Sequence, residues 1–395
     1  MSQNPTQGSQ ERGFFDGASG LAMSETTKAG LSQAWEIGWA DPSKRYPQAR
    51  AALQLLTQAR ASVAAGFGVS PGQVAFLPGT ADAAMGLAVR AAVAKVSVMS
   101  GQSGPVRVVV SDVEELGVLR AMDALVQHPP QGIPIKLERA GVDATGQVEV
   151  SRIVTQTRPG PAVVVMQSAN GELGTRQPIS RLRAALPDCA LVLDARHELG
   201  RAPLPLQATL TVGRASTWGG PPALAVLISQ DEQKLRGSDN PTDGWLGIEP
   251  VNPPVPLIAA ASLALEAALP QAEAEDQHAR KLTKSLQDQV TAAVSDVSVL
   301  GHPTERLGYI IMFSFLYVAA DELVDQLARR GWAVASGSAC TSDTERPLHV
   351  LVAISALTHG NLRVSLPPST SQAQIDAFAT DLIAIVTQIR AAAQL

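Results

Sequence analysis

Apolar residues recur along the chain in two rhythms. Short, nearly unbroken runs at Val74–Pro78 (V-A-F-L-P), Val106–Ser111 (V-R-V-V-V-S), Ala162–Met166 (A-V-V-V-M) and Ala190–Asp194 (A-L-V-L-D) read as strands buried on both faces. Between them lie longer stretches with a helical period. Gln48 to Phe67 places Leu53, Leu56, Ala59 and Val63 roughly on one face and stops near Gly66 and Gly68. At Gly79–Val89 a strand runs into a glycine turn and then a helix start, which leaves backbone N–H groups free to meet an anion. Strands alternating with helices predict an α/β fold with a mostly parallel sheet.

After a Pro- and Gly-rich connection at Gly237–Pro256 the rhythm changes. Helices are predicted over Leu257–Leu269 and from about Ala272 to Val294. A strand follows at Tyr309–Phe315, then a helix at Ala320–Arg330, an extended segment around Arg363 and a last helix from Gln372. This division predicts a polar tail at 1–12, a large domain at 13–256 and a small C-terminal α/β domain at 257–395.

Composition narrows the classes. The chain has 395 residues, 45% apolar and 17% charged, enough for one large and one small globular domain. A net charge of −5 with no run of Lys and Arg gives no reason to expect nucleic acid. The N-terminus lacks the apolar centre of a secretory leader, and no unbroken apolar run has the length of a membrane span, so a soluble, reducing, cytoplasmic setting is expected. Six His and two Cys show no metal-ligand spacing. Cys189, just before a buried-strand pattern, reads as a core thiol.

Cys340 sits differently. It lies in S-G-S-A-C-T-S (Ser336–Ser342), small residues that suit a loop carrying a thiol nucleophile. Downstream, Arg363 in L-R-V-S-L offers a guanidinium able to grip a carboxylate with two parallel hydrogen bonds. A further polar cluster, Asp194, Arg196, His197 and Glu198, follows a strand end and reads either as a solvated loop or as an active centre.

The stretch S-G-S-A-C-T-S, followed by Pro347, His349, Val350 and Leu351 and then by Arg363, resembles the active-site loop of group I cysteine desulfurases, which belong to the class V aminotransferases and use pyridoxal phosphate (PLP). The likeness extends from about Phe14 to the C-terminus, through F-F-D-G-A, the turn after Pro78, E-L-G-T-R-Q-P-I and L-V-L-D-A. It implies the PLP-dependent transferase type I fold, with a mostly parallel seven-stranded sheet in the large domain. It also implies a dimer with active sites at the interface. Cys340 would carry sulfur as a persulfide, Arg363 would hold the substrate carboxylate, and Asp194 would pair with the cofactor's pyridine nitrogen. Gly79 and Thr80 would lie at its phosphate, with Asn170, Ser216 and Thr217 as further contacts.

The chain departs from that pattern inside the cofactor motifs. Glu115 stands where the family has a ring-stacking His, Gly171 where it has an Asn, and His197 where it has a Gln. In R-A-S-T-W-G-G-P-P the position of the Schiff-base Lys falls on Thr217, with Arg214 and Ser216 at neighbouring contact positions. The expected protein is therefore desulfurase-like, with PLP held non-covalently at best or not at all. Three functions follow: a pseudoenzyme or partner subunit of an active desulfurase in sulfur transfer or iron–sulfur assembly, a persulfide carrier through Cys340, or a lysine-free PLP enzyme with His197 or Glu115 as base. Homodimer and heterodimer both remain open, as does a sulfur acceptor or scaffold partner.

Overall fold

The computed structural model describes residues 13–101, 104–158, 160–230, 249–336 and 349–393. Cys340 and Pro347 lie outside the described residues. The large sheet has seven strands in the order Val74–Pro78, Leu224–Ser229, Leu210–Arg214, Ala190–Asp194, Ala162–Gln167, Val106–Ser111, Ile135–Ala140. Leu224–Ser229 runs antiparallel to both its neighbours. The pairings from Leu210–Arg214 across to Ile135–Ala140 are all parallel. The apolar runs at Ala162–Gln167 and Ala190–Asp194 are buried on both faces, as central parallel strands must be when helices cover them.

One face is covered by helix Ala81–Ser100, whose Ala84, Met85, Ala88, Val89 and Val93 pack on Val108, Val110, Val163 and Val192. Thr80 caps this helix by accepting from Ala83 N, and Gly101 ends it with a left-handed φ of 59°. The other face carries Ile153, Ile179 and Leu182 at one end and helices Pro47–Gly66 and Val255–Ala268 at the other. By length and composition Ala81–Ser100 and the helical stretch Val255–Ala293 match membrane spans, contrary to the reading from unbroken runs. Both place their buried residues against the protein's own cores.

A second sheet pairs Asn361–Ser365, Ile310–Phe315 and Val297–Leu300 antiparallel, in that order. Helices Ala272–Ala293, Ala320–Arg329 and Gln372–Ala392 pack around it. Two groupings differ from the sequence division. Helix Val255–Ala268, expected in the C-terminal unit, packs on Glu25–Gly38 and Pro47–Gly66 and shares a core with Trp218 and Val226. Phe15, expected in the large domain, is buried between Trp332 and Phe378, with ring centroids 5.2 Å from each. The reason is visible in the backbone: Gly13–Phe14 pairs in parallel with Trp332–Ala333, so the first described segment lies in the C-terminal core and the residues after it enter the large one.

The parallel strands direct their carboxyl ends to one edge, where Gln167 is level with Asp194 and Asp194 with Val212. The turns that follow them carry most of the candidate residues. In open α/β sheets this is the edge at which ligand crevices form.

Candidate functional site

Asp194 ends its strand almost fully buried, at 1% exposure. Its two oxygens are held by the residue two positions on. Arg196 Nε donates to Oδ1 at 3.0 Å and to Oδ2 at 2.8 Å, and the Arg196 backbone N–H reaches Oδ1 at 3.1 Å. Arg196 Nη2 lies 2.7 Å from Asp194 Oδ2 and 2.6 Å from Asp82 Oδ1, so one guanidinium bridges the strand end and the first turn of helix Ala81–Ser100. Burial opposes the charge on Arg196, but Asp194, Glu115 and Asp82 outweigh it and raise its pKa further. The cluster Asp194–Glu198 is thus buried and ion-paired, not a solvated loop.

Beside it, His197 Nε2 lies 2.9 Å from Glu115 Oε1. Burial, reinforced by the Arg214 and Arg196 guanidiniums, pulls the imidazole pKa below its ordinary value despite Glu115, whose carboxylate oxygen accepts from Nε2. Burial also works against the Glu115 carboxylate, but the His197 hydrogen bond and the guanidiniums hold its pKa well below the usual range. This pair fits because residue 171 is glycine: a Cβ there would stand 2.3 Å from His197 Nε2. Gly117 plays the same part for Asp82, with a would-be Cβ 2.1 Å from Oδ2. The adjacent Glu114 is buried, and desolvation drives its pKa well above the ordinary value.

Thr217 closes the opposite wall. Its hydroxyl donates to the Arg196 carbonyl and accepts from Arg214 Nε at 3.2 Å. The Arg214 guanidinium also donates to the carbonyls of Ala18 and Ser19. Ser216 offers its carbonyl to Leu21 N–H at 2.8 Å. Gly79 has φ +116° and donates to Ala223 O, while Thr80 serves as helix cap. Asn170 is occupied by the fold: its Oδ1 accepts from Glu172 and Leu173 N–H, and its Nδ2 donates to Val113 O.

Arg363 enters from the small sheet and joins the same cluster. It donates to Glu172 Oε1 at 2.8 Å, Asp16 Oδ1 at 2.7 Å and Gly171 O at 3.2 Å. The guanidinium expected to receive a substrate carboxylate already holds two carboxylates of the chain. Tyr309 ties the two units together, donating its hydroxyl to His197 O at 2.6 Å while its ring carries the Arg201 guanidinium 3.5 Å from the centroid. His349, downstream of Cys340 in sequence, lies 2.7 Å from Glu114 O through Nε2. Cys189 is half-buried, and desolvation pushes its thiol up to about 11, in keeping with an inert core position.

The structure therefore brings Asp194, His197, Thr217, Gly79, Thr80, Asn170 and Arg363 to one crevice. As placed, these residues do not fit PLP. Each Asp194 oxygen that would meet a ring nitrogen is taken by Arg196, and the space beside it holds the His197–Glu115 pair. In the sequence Arg196 falls within the polar cluster after the strand end, and no motif joins it to Asp82. The one available signal was an arginine two residues after a strand-end aspartate, facing an acidic helix start.

The sequence pattern of aminotransferase class-V proteins matches residues 38–211 and 249–378. A cysteine desulfurase from Cereibacter sphaeroides is 29% identical over 367 residues, covering 89% of each chain. An IscS-like cysteine desulfurase from Mycobacterium tuberculosis is 27% identical over 366 residues, covering 89% of this chain and 90% of that one. Among solved structures, a NifS-like protein superposes with a TM-score of 0.81 at 19% identity, over 95% of this chain and 99% of that one. The apo cysteine desulfurase of Thermococcus onnurineus NA1 gives 0.79 at 16%, over 95% and 94%. These likenesses agree with the α/β architecture and the mostly parallel sheet, and the chain belongs to the class V aminotransferase family as a cysteine desulfurase-like member.

Proposed function

We propose that this chain serves sulfur transfer or iron–sulfur cluster assembly without PLP turnover of its own, as a non-catalytic partner of an active desulfurase. The observation that carries the reading is where the lysines are. A covalent tie to a carbonyl cofactor needs a primary amine, and the same amine is the family's base for the substrate proton. The chain has seven lysines. Lys28, Lys44, Lys136 and Lys284 pair with Glu25, Asp41, Glu138 and Asp288 away from the crevice. Lys281 is exposed on helix Ala272–Ala293. Lys95 sits on helix Ala81–Ser100 thirteen residues beyond Asp82, about 20 Å along the axis. Lys234 lies outside the described residues. At the position the family resemblance assigns to lysine stands Thr217, whose hydroxyl is engaged by Arg196 and Arg214.

Incubation with L-cysteine and PLP, with alanine and sulfide measured, tests this. The chain alone is expected to run at the background rate, since loss of a general base by itself costs about 10²–10⁴-fold. Added to an active desulfurase, it is expected to change sulfur delivery from that enzyme. Catalytic alanine formation by the chain alone would overturn the reading in favour of a lysine-free enzyme. The S-G-S-A-C-T-S sequence favours one refinement, that the Cys340 thiolate attacks the outer sulfur of a cysteine persulfide on the partner and releases the partner's thiolate. Mass spectrometry of the chain after transfer, compared with Cys340→Ser, would then show persulfide in the parent only.

A further inference from the structure

Ligands of open α/β sheets enter at the carboxyl ends of the parallel strands, and here that crevice is filled by the chain's own charges. We infer that Arg196 is the residue that closes it: a built-in counter-ion that occupies Asp194, latches the strand end to helix Ala81–Ser100, and excludes phosphorylated pyridine ligands. This deepens the reading above and rests on it only in taking the crevice as non-catalytic.

Three features fix Arg196 in this role. Its guanidinium and its own backbone N–H reach both Asp194 oxygens, so an incoming donor must displace it. Its Nη2 is shared with Asp82, so displacement breaks two ion pairs and parts two walls of the crevice. Its carbonyl is held by the Thr217 hydroxyl, which anchors the main chain from the far side.

The surroundings are shaped to match. Gly117 leaves room for the Asp82 carboxylate, and Gly171 leaves room for the His197–Glu115 pair, each where any side chain would collide. Buried, paired charges resist separation, because removing one partner leaves the other desolvated and alone. A ligand that must break this bridge binds about two to three orders of magnitude more weakly than one offered a free Asp194.

The test uses pyridoxine 5′-phosphate, which keeps the ring nitrogen and phosphate but has no aldehyde to react with surface lysines. Wild type and Arg196→Ala are titrated by equilibrium dialysis, with the thermal midpoint as a second readout. Wild type is expected to show no saturable binding up to about millimolar ligand. Arg196→Ala is expected to melt lower without ligand, to bind one equivalent at least about 100-fold more tightly than wild type, and to recover its midpoint as ligand is added. Should Arg196→Ala fail to fold, Arg196→Gln removes the charge while keeping a hydrogen-bond donor, and a smaller gain of the same sign is expected. Saturable binding by wild type overturns the inference, as does a folded variant that gains nothing. A variant that gains nothing, beside a wild type without desulfurase turnover, sinks this inference and leaves the proposed function standing. Turnover by wild type sinks the proposed function.

Discussion

Two buried regions of this protein are held by opposite means. In the C-terminal core, Phe15, Trp332 and Phe378 interlock with all centroid separations at 5.2 Å, and Leu323, Leu362 and Ile385 close around them. In the crevice, Asp194, Arg196, His197, Glu198 and Arg363 are nearly as well removed from water, yet they are tied together by ion pairs and hydrogen bonds. The first region gains from each apolar group independently. The second gains only while its partners are complete, because a buried charge without its counter-ion is worse than no charge. That difference explains how a ligand crevice can persist as a stable polar core: arginine supplies the counter-ion from within.

The largest effects should expose the contrast directly. Phe378→Ala is expected to cost about 3–5 kcal/mol in denaturant unfolding, the usual loss for a buried aromatic. Asp194→Leu should cost a similar amount, about 3–5 kcal/mol, because it takes from the Arg196 guanidinium its most buried counter-ion and leaves the partly exposed Asp82 as the remaining contact. The double variant Asp194→Leu with Arg196→Met should recover most of that loss, whereas adding Leu382→Ala to Phe378→Ala should deepen it. If the crevice double variant is as unstable as the sum of its parts, the region is not organised by paired charge.

Glu114 separates the two modes by pH. Its folded-state pKa is raised by burial first, against a hydrogen bond from Gln167 N–H. The folded chain therefore keeps a proton that the unfolded chain releases above about 4.3. Its contribution is fully present below that value and is lost as pH rises through the folded-state pKa. Glu114→Gln should flatten the fall in unfolding free energy above about pH 4.5, while Phe378→Ala should lower the whole curve without changing its shape. An unchanged slope in Glu114→Gln would remove this carboxyl from the account.

A smaller effect is expected at Gly171. Adding one methyl places it against His197 Nε2, and overpacking of this kind costs about 1–3 kcal/mol. Gly171→Ala should be relieved by His197→Ala, a coupling read from a double-mutant cycle in thermal melts. Independent, additive losses would mean that the glycine is not there to admit the imidazole.

Much of this was legible in the sequence, for physical reasons that differ by element. The buried runs at 106–111 and 162–167 announce themselves because central parallel strands need apolar residues on both faces, while 74–78 shows the same apolar run as an antiparallel edge strand covered by helices. Helix Val255–Ala268 was visible as a helix but not as part of the large core, since a helix apolar on most sides does not say which layer receives it. The crossing of Phe15 into the C-terminal core depends on a two-residue parallel pairing too short to leave a pattern. At the site, local motifs located Asp194, His197, Thr217 and Arg363. Asp82 and Arg196 are far apart in sequence, and their ion pair exists only once the sheet has formed. The same holds for Arg363 with Asp16 and Glu172. Motif spacing could nominate Arg363 for a carboxylate but could not show that the chain already supplies two.

The smallest effect is the control that makes burial the deciding variable. Lys284 and Asp288 form an ion pair on helix Ala272–Ala293, with side chains 64% and 59% exposed. The Arg196–Asp194 pair is 8% and 1% exposed. The surface pair also runs with the cation N-terminal to the anion, the less favourable order for an i,i+4 contact. Water and salt screen it, so Lys284→Ala should cost no more than about 0.5 kcal/mol and less at high ionic strength. Asp194→Leu should respond weakly to salt, because its pair lies where counter-ions do not reach. Equal losses at the two sites, or equal salt sensitivity, would mean that enclosure is not what strengthens the crevice. The comparison would then reduce to ion-pair geometry, and Arg196 would hold Asp194 only because it is near.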